Sequence, residues 1–598
     1  MYILGINCYM HDASACLLED GRIVAFAEEE RFNREKHTSA FPEHAIDFCL
    51  RHAGITIREI EHIAYFWIPW KGILARAMQI LKAAPMSFAQ NPHRLRVFQQ
   101  MLGIRRLFRK RYGYRNRFHF VEHHLAHAAS AFFVSPFEEA AILIVDCNGE
   151  IASTLAAVGR GNRIGKLYEI RYPDSIGLLY LSVTEYLGFQ ENEGEGKVMG
   201  LAPYGRPSFR AEFERILTWK HVASRRRSVL DRDRRPFEPL LPASLEAFPA
   251  FRLDLSYFDV HLRKEHYVSD KFIRTFGPRR ERGGEILTHH KDVARTLQEV
   301  TEESVLTLAA DLRQRTKLPN LCYSGGVALN CVANGKLRQS GIFDRIYIQP
   351  AAYDAGTSLG AALWVYHTIC GKPRSFVMDR ADWGPEYSEG EIRAEIEARS
   401  SCESGGSPMF FTRSADIARE VAGLLAEGKV VGWFQGRMEV GPRALGYRSI
   451  LADSRRVEMK DILNNRVKHR EPFRPFGPSI PVEDVRDYFA DGAESPFMLF
   501  TFDALPDKRA VIPSVLHIDY SARVQTVRAD VQPLYYRLLR EFEKLTGVSV
   551  ILNTSFNLRG EPIVQSPGDA LSTFLRTEMD ALAIGPFLVT KTPPGVGR

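Results

Sequence analysis

In "EHHLAHAASAFF", His123 and His127 stand four positions apart. On a helix that spacing puts both imidazoles on one face, where they can bind one metal ion. Asp146 closes the apolar run "AAILIV", and Asp354 sits in "AAYDAGTSLGAAL"; each reads as an aspartate at a buried strand's end. Two imidazoles and two carboxylates suit iron, manganese or zinc, and mixed nitrogen and oxygen ligation does not choose among them. His124 faces elsewhere on the same helix and reads as structural.

Three further constellations carry chemistry. "CYSGGVALN" runs from a strand into Gly325-Gly326 and then a helix, either a platform for a nucleotide phosphate, with Asn330 facing a ribose or base, or a tight packing turn. "NEGEGKVMGLAPYGR" frames Glu195 and Lys197 with glycines suited to a polyphosphate, yet neither loop is G-x-x-x-x-G-K-[ST], so a P-loop is excluded. "YMHDASA" sets His11 and Asp12 in the first strand-end turn, as a general base and its partner or as a capping pair.

A last constellation lies near the carboxyl terminus. "GRMEVGPRALGYRSIL", "RVKHREPFRPFGPS", "YSARVQTV" and "ILNTSFNLRGEPIV" bring Arg443, Arg448, Lys468, Arg470, Arg474 and Arg523 beside glycines, prolines and small polar residues. These are not helix-surface spacings, and guanidinium groups bind phosphate or carboxylate oxygens at two points. Asn553, Thr554 and Ser555 read as a turn after "VSVIL" that adds amide and hydroxyl donors.

The elements that must position these groups show a loose repeat. "YILGINCYMHDASACLLEDGRIVAFAEE" and "AAILIVDCNGEIASTLAAVGRGNRIGKLYEI" both read as strand, polar turn, strand, tight turn, strand. Two related β-rich halves follow, each offering a polar turn at a strand end. Between them, Lys71 to Arg117 holds 12 basic residues and no acidic one, interleaved with apolar side chains and broken at "NPH". This is a solvated helical face, a wall for an anionic or amphiphilic substrate, or a membrane or RNA contact. Residues 205–290 read as irregular, Arg-rich insertions. The pattern weakens over 373–408, and an α/β unit over 409–598 opens with "ADIAREVAGLLAEG" and "KVVGWFQG".

The 598 residues are 45% hydrophobic and 25% charged, which excludes disordered, collagenous and disulfide-scaffold chains. A net charge of +7 over this length speaks against nucleic acid as the partner. Eight cysteines without a C-x-x-C pair read as reduced thiols rather than a zinc site. With no signal-peptide pattern and no apolar run of the ~18 residues a span needs, the expected location is cytoplasmic.

"HDASA", "EEERF", "HHLAHAASAF", "GKVMGLA", "GGVALN", "DAGTSLGAA", "GRMEVGPRALGYRSIL" and "LNTSFNLRGEPIV", in this order, resemble the nodulation-type (NodU/CmcH) O-carbamoyltransferase family. The resemblance implies an α/β protein: a duplicated ASKHA-type domain of the actin and hexokinase class over 1–372, a linker over 373–408, and a YrdC-like domain over 409–598. It implies that carbamoyl phosphate and ATP give carbamoyl-adenylate in the second domain. Carbamoyl then passes to a hydroxyl of a small-molecule acceptor, a natural product or glycan, in the first. His123, His127, Asp146 and Asp354 are implied ligands of an iron-type metal, with magnesium or manganese accompanying ATP. Arg443, Arg448, Lys468, Arg474, Arg523 and Ser555 are the implied anion site, and His11 the implied base. Family members self-associate, so a homodimer is expected. The rival readings are a tRNA-modifying threonylcarbamoyl-type transferase and a non-catalytic nucleotide-binding module.

Overall fold

A computed structural model describes residues 1–73, 91–223, 247–259, 266–400 and 409–592. The chain forms two compact units, one of Met1–Val24, Ser39–Pro42 and Leu50–Val377, the other of Ala25–Thr38, Glu43–Cys49 and Met378–Arg598.

In the first unit, strand Tyr2–Asn7 (β1) buries Ile3, Leu4 and Ile6 although they alternate between its faces. A strand that is apolar on both faces belongs in the middle of a covered sheet. It pairs antiparallel with Ser14–Glu19 (β2) and parallel with Ile60–Tyr65 (β4). Arg22–Glu28 (β3) follows β2 through Asp20-Gly21, both at positive φ, the turn geometry that matches strand twist. Arg117–Phe120 (β5) adds parallel to β4, and the order is β3-β2-β1-β4-β5.

The second half of this unit repeats that plan. Glu139–Val145 (β6), Ala152–Arg160 (β7) and Arg163–Arg171 (β8) form an antiparallel meander. Leu217–Ala223 (β9) and Ala247–Leu253 (β10) pair as a separate ribbon. Asn320–Ser324 (β11) and Arg345–Tyr347 (β12) then add in parallel beside β6, giving β8-β7-β6-β11-β12. Two sheets with one topology bear out the two related halves read from the loose repeat and make the first unit the duplicated ASKHA-type α/β fold that the family resemblance implies. Part of 205–290, read as irregular, is regular: helices Arg210–Ile216 and Asp270–Phe276 flank the ribbon.

Helix Asn91–Tyr112 (α1) begins at the break seen in "NPH". It turns Met101, Ile104 and Phe108 inward and leaves Arg105, Arg106, Arg109 and Lys110 exposed. Residues 74–90 of the basic stretch lie outside the described residues. Helix His123–Phe132 (α2) packs on helix Gly356–Leu363 (α3) so closely that a Cβ at Gly360 would lie 1.8 Å from the Ala126 carbonyl oxygen. Only glycine permits that approach.

The second unit holds an eight-stranded sheet, ordered β13-β22-β21-β14-β15-β20-β16-β19. The strands are Phe410–Arg413 (β13), Val431–Phe434 (β14), Arg448–Asp453 (β15), Gly477–Pro481 (β16), Thr501–Asp503 (β17), Ser521–Arg523 (β18), Gln525–Val527 (β19), Ile551–Ser555 (β20), Ala581–Ile584 (β21) and Phe587–Thr590 (β22). Strands β17 and β18 pair apart from that sheet. Residues alternate between two cores: Trp433, Leu451 and Ile551 join one, while Phe434, Ile450 and Leu552 join the other. This is the period of two expected of a sheet covered on both sides. The segment read as a linker contains helix Glu389–Ser400, whose Ile392 and Ile396 sit in the second of these cores. Asn553, Thr554 and Ser555, read as a turn, lie on β20.

Candidate active site and metal centre

The first unit brings His123, His127, Asp146 and Asp354 together. One ligand atom from each lies within 4.8 Å of all the others, and all four residues are buried. His123 Nε2 is 3.0 Å from Asp146 Oδ2 and 3.7 Å from Asp354 Oδ1, while His127 Nε2 is 3.4 Å from Asp354 Oδ1. Helix α2 supplies the imidazoles four apart, as the spacing predicted. Asp146 follows the last residue of β6; Asp354 lies not at the end of β12 but in the turn that leads into α3.

The surroundings aim each ligand. Asp146 Oδ1 accepts from the Gly326 backbone N–H at 2.9 Å, so the Gly-Gly turn orients a carboxylate. Gly325 has φ +95°, and a Cβ there would meet the Val145 carbonyl oxygen at 2.3 Å, so the turn has to be glycine. Asn7 Nδ2 donates to the Asp354 and Asp12 carbonyls at 2.9 and 3.0 Å, joining the end of β1 to the turn before α3. Glu150 accepts from the His123 backbone N–H at 3.1 Å and from Ile68 N–H at 2.8 Å, satisfying the first turn of α2. Asn7 and Glu150 have no signal in the sequence, where a lone Asn or Glu announces nothing.

These groups fit a divalent metal. His127 Nε2 is buried, faces the carboxylates and has no hydrogen-bond partner among the described residues. A buried ring nitrogen turned toward two carboxylates, whose proton a metal ion can replace, is what a metal ligand requires. Burial pulls the His127 pKa down, but Asp146 and Asp354 outweigh it and push it up to about 9, the mark of a pocket that seeks a cation. His124 is driven down to about 3, by burial and then by His123, so it stays neutral.

His11 borders this centre. Its Nδ1 lies 2.7 Å from Asp12 Oδ2 and its Nε2 3.6 Å from Asp354 Oδ2. Burial lowers its pKa, but Asp354 and Asp12 prevail and hold it up to about 10. A cation between Asp146 and Asp354 would cancel much of that pull.

The nucleotide-platform residues divide. Lys197 is buried on helix Glu195–Leu201, its Nζ 5.9 Å from the Phe189 ring centroid. Glu195 accepts from Asn192 N–H at 3.0 Å. Asn330, read as facing a ribose or base, instead caps helix Cys331–Gln339 through Ala333 N–H at 3.0 Å and pairs with the Gln298 amide.

The second unit gathers cations. Lys468 is buried, and its Nζ donates to the Ser555 carbonyl, the Asn557 carbonyl at 3.0 Å and Asn557 Oδ1 at 2.9 Å. All these partners are neutral. Burial, then Arg470 and Arg474, push the Lys468 pKa well down; burial, then Arg474 and Arg523, do the same to Arg470. Arg523 Nε is buried with no hydrogen-bond partner among the described residues. Cations that lower one another, with Glu471 beside Arg470 and Arg474, make a place suited to an anion. Arg448 differs from the reading that counted it in the anion site. It is fully buried, stacks 3.6 Å from the Phe434 ring centroid, and its two terminal nitrogens donate to the Gln435, Tyr447, Pro385 and Gly436 carbonyls. Asn553 is likewise engaged, with Gln525 Oε1 at 2.9 Å and Ser479 Oγ at 3.0 Å.

Residues 2–363 match the family model "Carbamoyltransferase N-terminus" and residues 422–591 match "Carbamoyltransferase C-terminus". The chain is 40% identical to the uncharacterized protein sll1178 of Synechocystis sp., over 99% of this chain and 97% of that one. It is 37% identical to nodulation protein NolNO of Sinorhizobium fredii, over 98% of this chain and 80% of that one. With nodulation protein U of Rhizobium tropici it shares 30% identity, over 94% and 91%. Among the described residues no helix is long and apolar enough to cross a membrane. Both family models, the duplicated fold and the relatives agree: the chain belongs to the nodulation-type carbamoyltransferase family and is a carbamoyl-transferring enzyme.

Proposed function

We propose that the chain is an ATP-dependent O-carbamoyltransferase that works in two stages. In residues 409–598, read as YrdC-like, carbamoyl phosphate, ATP and one water give carbamoyl-adenylate, pyrophosphate and phosphate. In residues 1–372 a hydroxyl of a small-molecule acceptor attacks the carbamoyl carbon and AMP leaves. The observation that carries the reading is the cation cluster of buried Lys468 and half-buried Arg470, Arg474 and Arg523, in which burial and neighbouring cations lower Lys468 and Arg470. Arg443 and Ser555 complete the set, while Arg448 and Asn553 hold the strands beneath it.

Carbamoyl phosphate decomposes readily in water, so a cationic pocket that closes over it both shields it and balances the charge of the leaving phosphate. In the first unit, His11 Nε2 takes the proton of the acceptor hydroxyl, and Asp12 steadies the ring through Nδ1. Lys197 and Glu195 frame the nucleotide phosphate, with Gly325 and Gly326 at the adjoining turn. His123, His127, Asp146 and Asp354 would hold a divalent metal, iron among the candidates, which supplies Lewis-acid stabilisation of the nucleotide phosphate. The acceptor is taken to be a hydroxylated natural product or glycan.

The test is mass spectrometry of the full chain with ATP and carbamoyl phosphate, with metal and without acceptor. The expected products are carbamoyl-adenylate, or AMP and pyrophosphate, formed only when both substrates are present and lost in Arg523→Ala. If ATP stays intact here and also with a panel of hydroxylated acceptors, the reading fails.

A further inference from the structure

The "EEERF" motif near the amino terminus has no part in the chemistry above, yet it is built into the second unit. Glu28 and Arg31 are 2% and 4% exposed, and Arg31 Nη2 lies 2.9 Å from Glu28 Oε2. Both side chains then converge on one residue. Gly441 donates its backbone N–H to Glu28 Oε1 at 2.8 Å, and its carbonyl accepts from Arg31 Nη2 at 2.8 Å. Gly441 stands two residues before Arg443. On the far side of Arg443, the buried Glu439 Oε1 accepts from Leu445 N–H at 2.8 Å and Arg448 N–H at 3.2 Å. The Arg443 backbone is therefore held from both sides by buried carboxylates. The same segment reaches a second loop: Arg34 donates to the Ile563 and Pro562 carbonyls at 2.7 and 2.8 Å. That loop follows Asn557, which receives Lys468 and donates to the Glu561 carbonyl at 2.6 Å.

A buried ion pair is poor value for stability, because desolvation offsets much of its attraction. Gripping both polar groups of a single peptide residue is, by contrast, a strong geometric constraint. We infer that Glu28 and Arg31 are positioning residues for Arg443, so that a segment far away in sequence sets the affinity of the second unit for carbamoyl phosphate. The inference rests on the reading that this unit's cations hold carbamoyl phosphate.

The test is a double-mutant cycle on the full chain, reading KM for carbamoyl phosphate, KM for ATP and kcat in the acceptor-free formation of AMP. Arg443→Ala should raise KM for carbamoyl phosphate about 100-fold, and Arg31→Lys about 10-fold, with KM for ATP and kcat within about threefold. In the Arg443→Ala background, Arg31→Lys should add less than about twofold, because a lost side chain needs no positioning. Glu28→Gln repeats the cycle with a nearly isosteric change and serves if Arg31→Lys does not fold. Fully multiplicative effects, or equal losses in all three constants, overturn the positioning role. If Arg443→Ala itself leaves KM for carbamoyl phosphate unchanged, the anion-site reading falls and takes the positioning role with it.

Discussion

The Ser324 hydroxyl donates to the Ala352 carbonyl at 2.9 Å and lies 3.3 Å from His127 Nδ1. Its one proton is committed, so it accepts from the imidazole, which fixes a proton on Nδ1 and turns Nε2, the atom a metal would take in place of a proton, toward Asp146 and Asp354. Ser324→Ala should weaken metal binding about 10- to 100-fold without unfolding the chain. Metal content after dialysis against a graded series of chelator concentrations measures this, with Asp354→Asn as the stronger reference. Equal metal retention in Ser324→Ala and the parent would refute it.

Lys468 and its arginine neighbours make a stability prediction. Inorganic phosphate at about 100 times its dissociation constant should stabilise the chain by about 2.7 kcal/mol, seen as a higher Tm. Lys468→Met should abolish most of that rise, since its Nζ is the buried cation bound to Ser555 and Asn557. A phosphate effect of the same size in the variant would place the anion elsewhere.

His62 and His119 predict a pH dependence of stability. Their rings share a hydrogen bond of 2.9 Å between Nδ1 and Nε2. Burial, then His62 and Arg117, hold His119 down to about 4, and burial then Arg117 lower His62. A histidine depressed on folding contributes stability that is full above its unfolded pKa near 6.5 and is lost as pH falls toward the folded value. Because His119 is only partly shielded from solvent, about 1 kcal/mol should vanish between pH 7 and pH 5. Thermal melts of His119→Phe should show a flatter profile over that interval; an unaltered slope would contradict the assignment.

The basic helix makes a prediction about the acceptor. Arg105, Arg106, Arg109 and Lys110 are exposed on α1, while Leu102 is 46% exposed among them. If this face meets an anionic or amphiphilic acceptor, reversing the four charges to Glu should raise the acceptor KM at least about tenfold. Acceptor-free AMP formation should not move. An unchanged acceptor KM would return the face to the role of a solvated surface.

What could be read in advance follows from how far each signal reaches along the chain. His123 and His127 were legible because one helix fixes their spacing, and β1 and β6 because buried central strands are continuously apolar. Asp354 was legible as a candidate partner of the two histidines but not as a turn residue, since β12 is only three residues long and ends well before it. Arg448 looked like its neighbours in sequence; only the fold shows four carbonyls closing on its guanidinium. The helix-capping and Gln298 contacts of Asn330 were illegible for the related reason that Gln298 comes from a distant helix. Ser324 and Glu150 act through second partners, and no local pattern announces such a role. "EEERF" counts toward the family resemblance, but its structural role is legible only when Gly441 is seen between Glu28 and Arg31.

Because Ala25–Thr38 and Glu43–Cys49 fold with Met378–Arg598, the second unit is not a contiguous stretch of gene. A fragment expressed from Met378 onward would lack part of its own interior and should be recovered as a weakly folded or aggregating product. A synthetic peptide spanning 25–49, added in trans, should bind that fragment and sharpen its melting transition. The boundary for dissecting this enzyme therefore runs through two places in the chain, and a single cut after residue 377 divides the second unit itself.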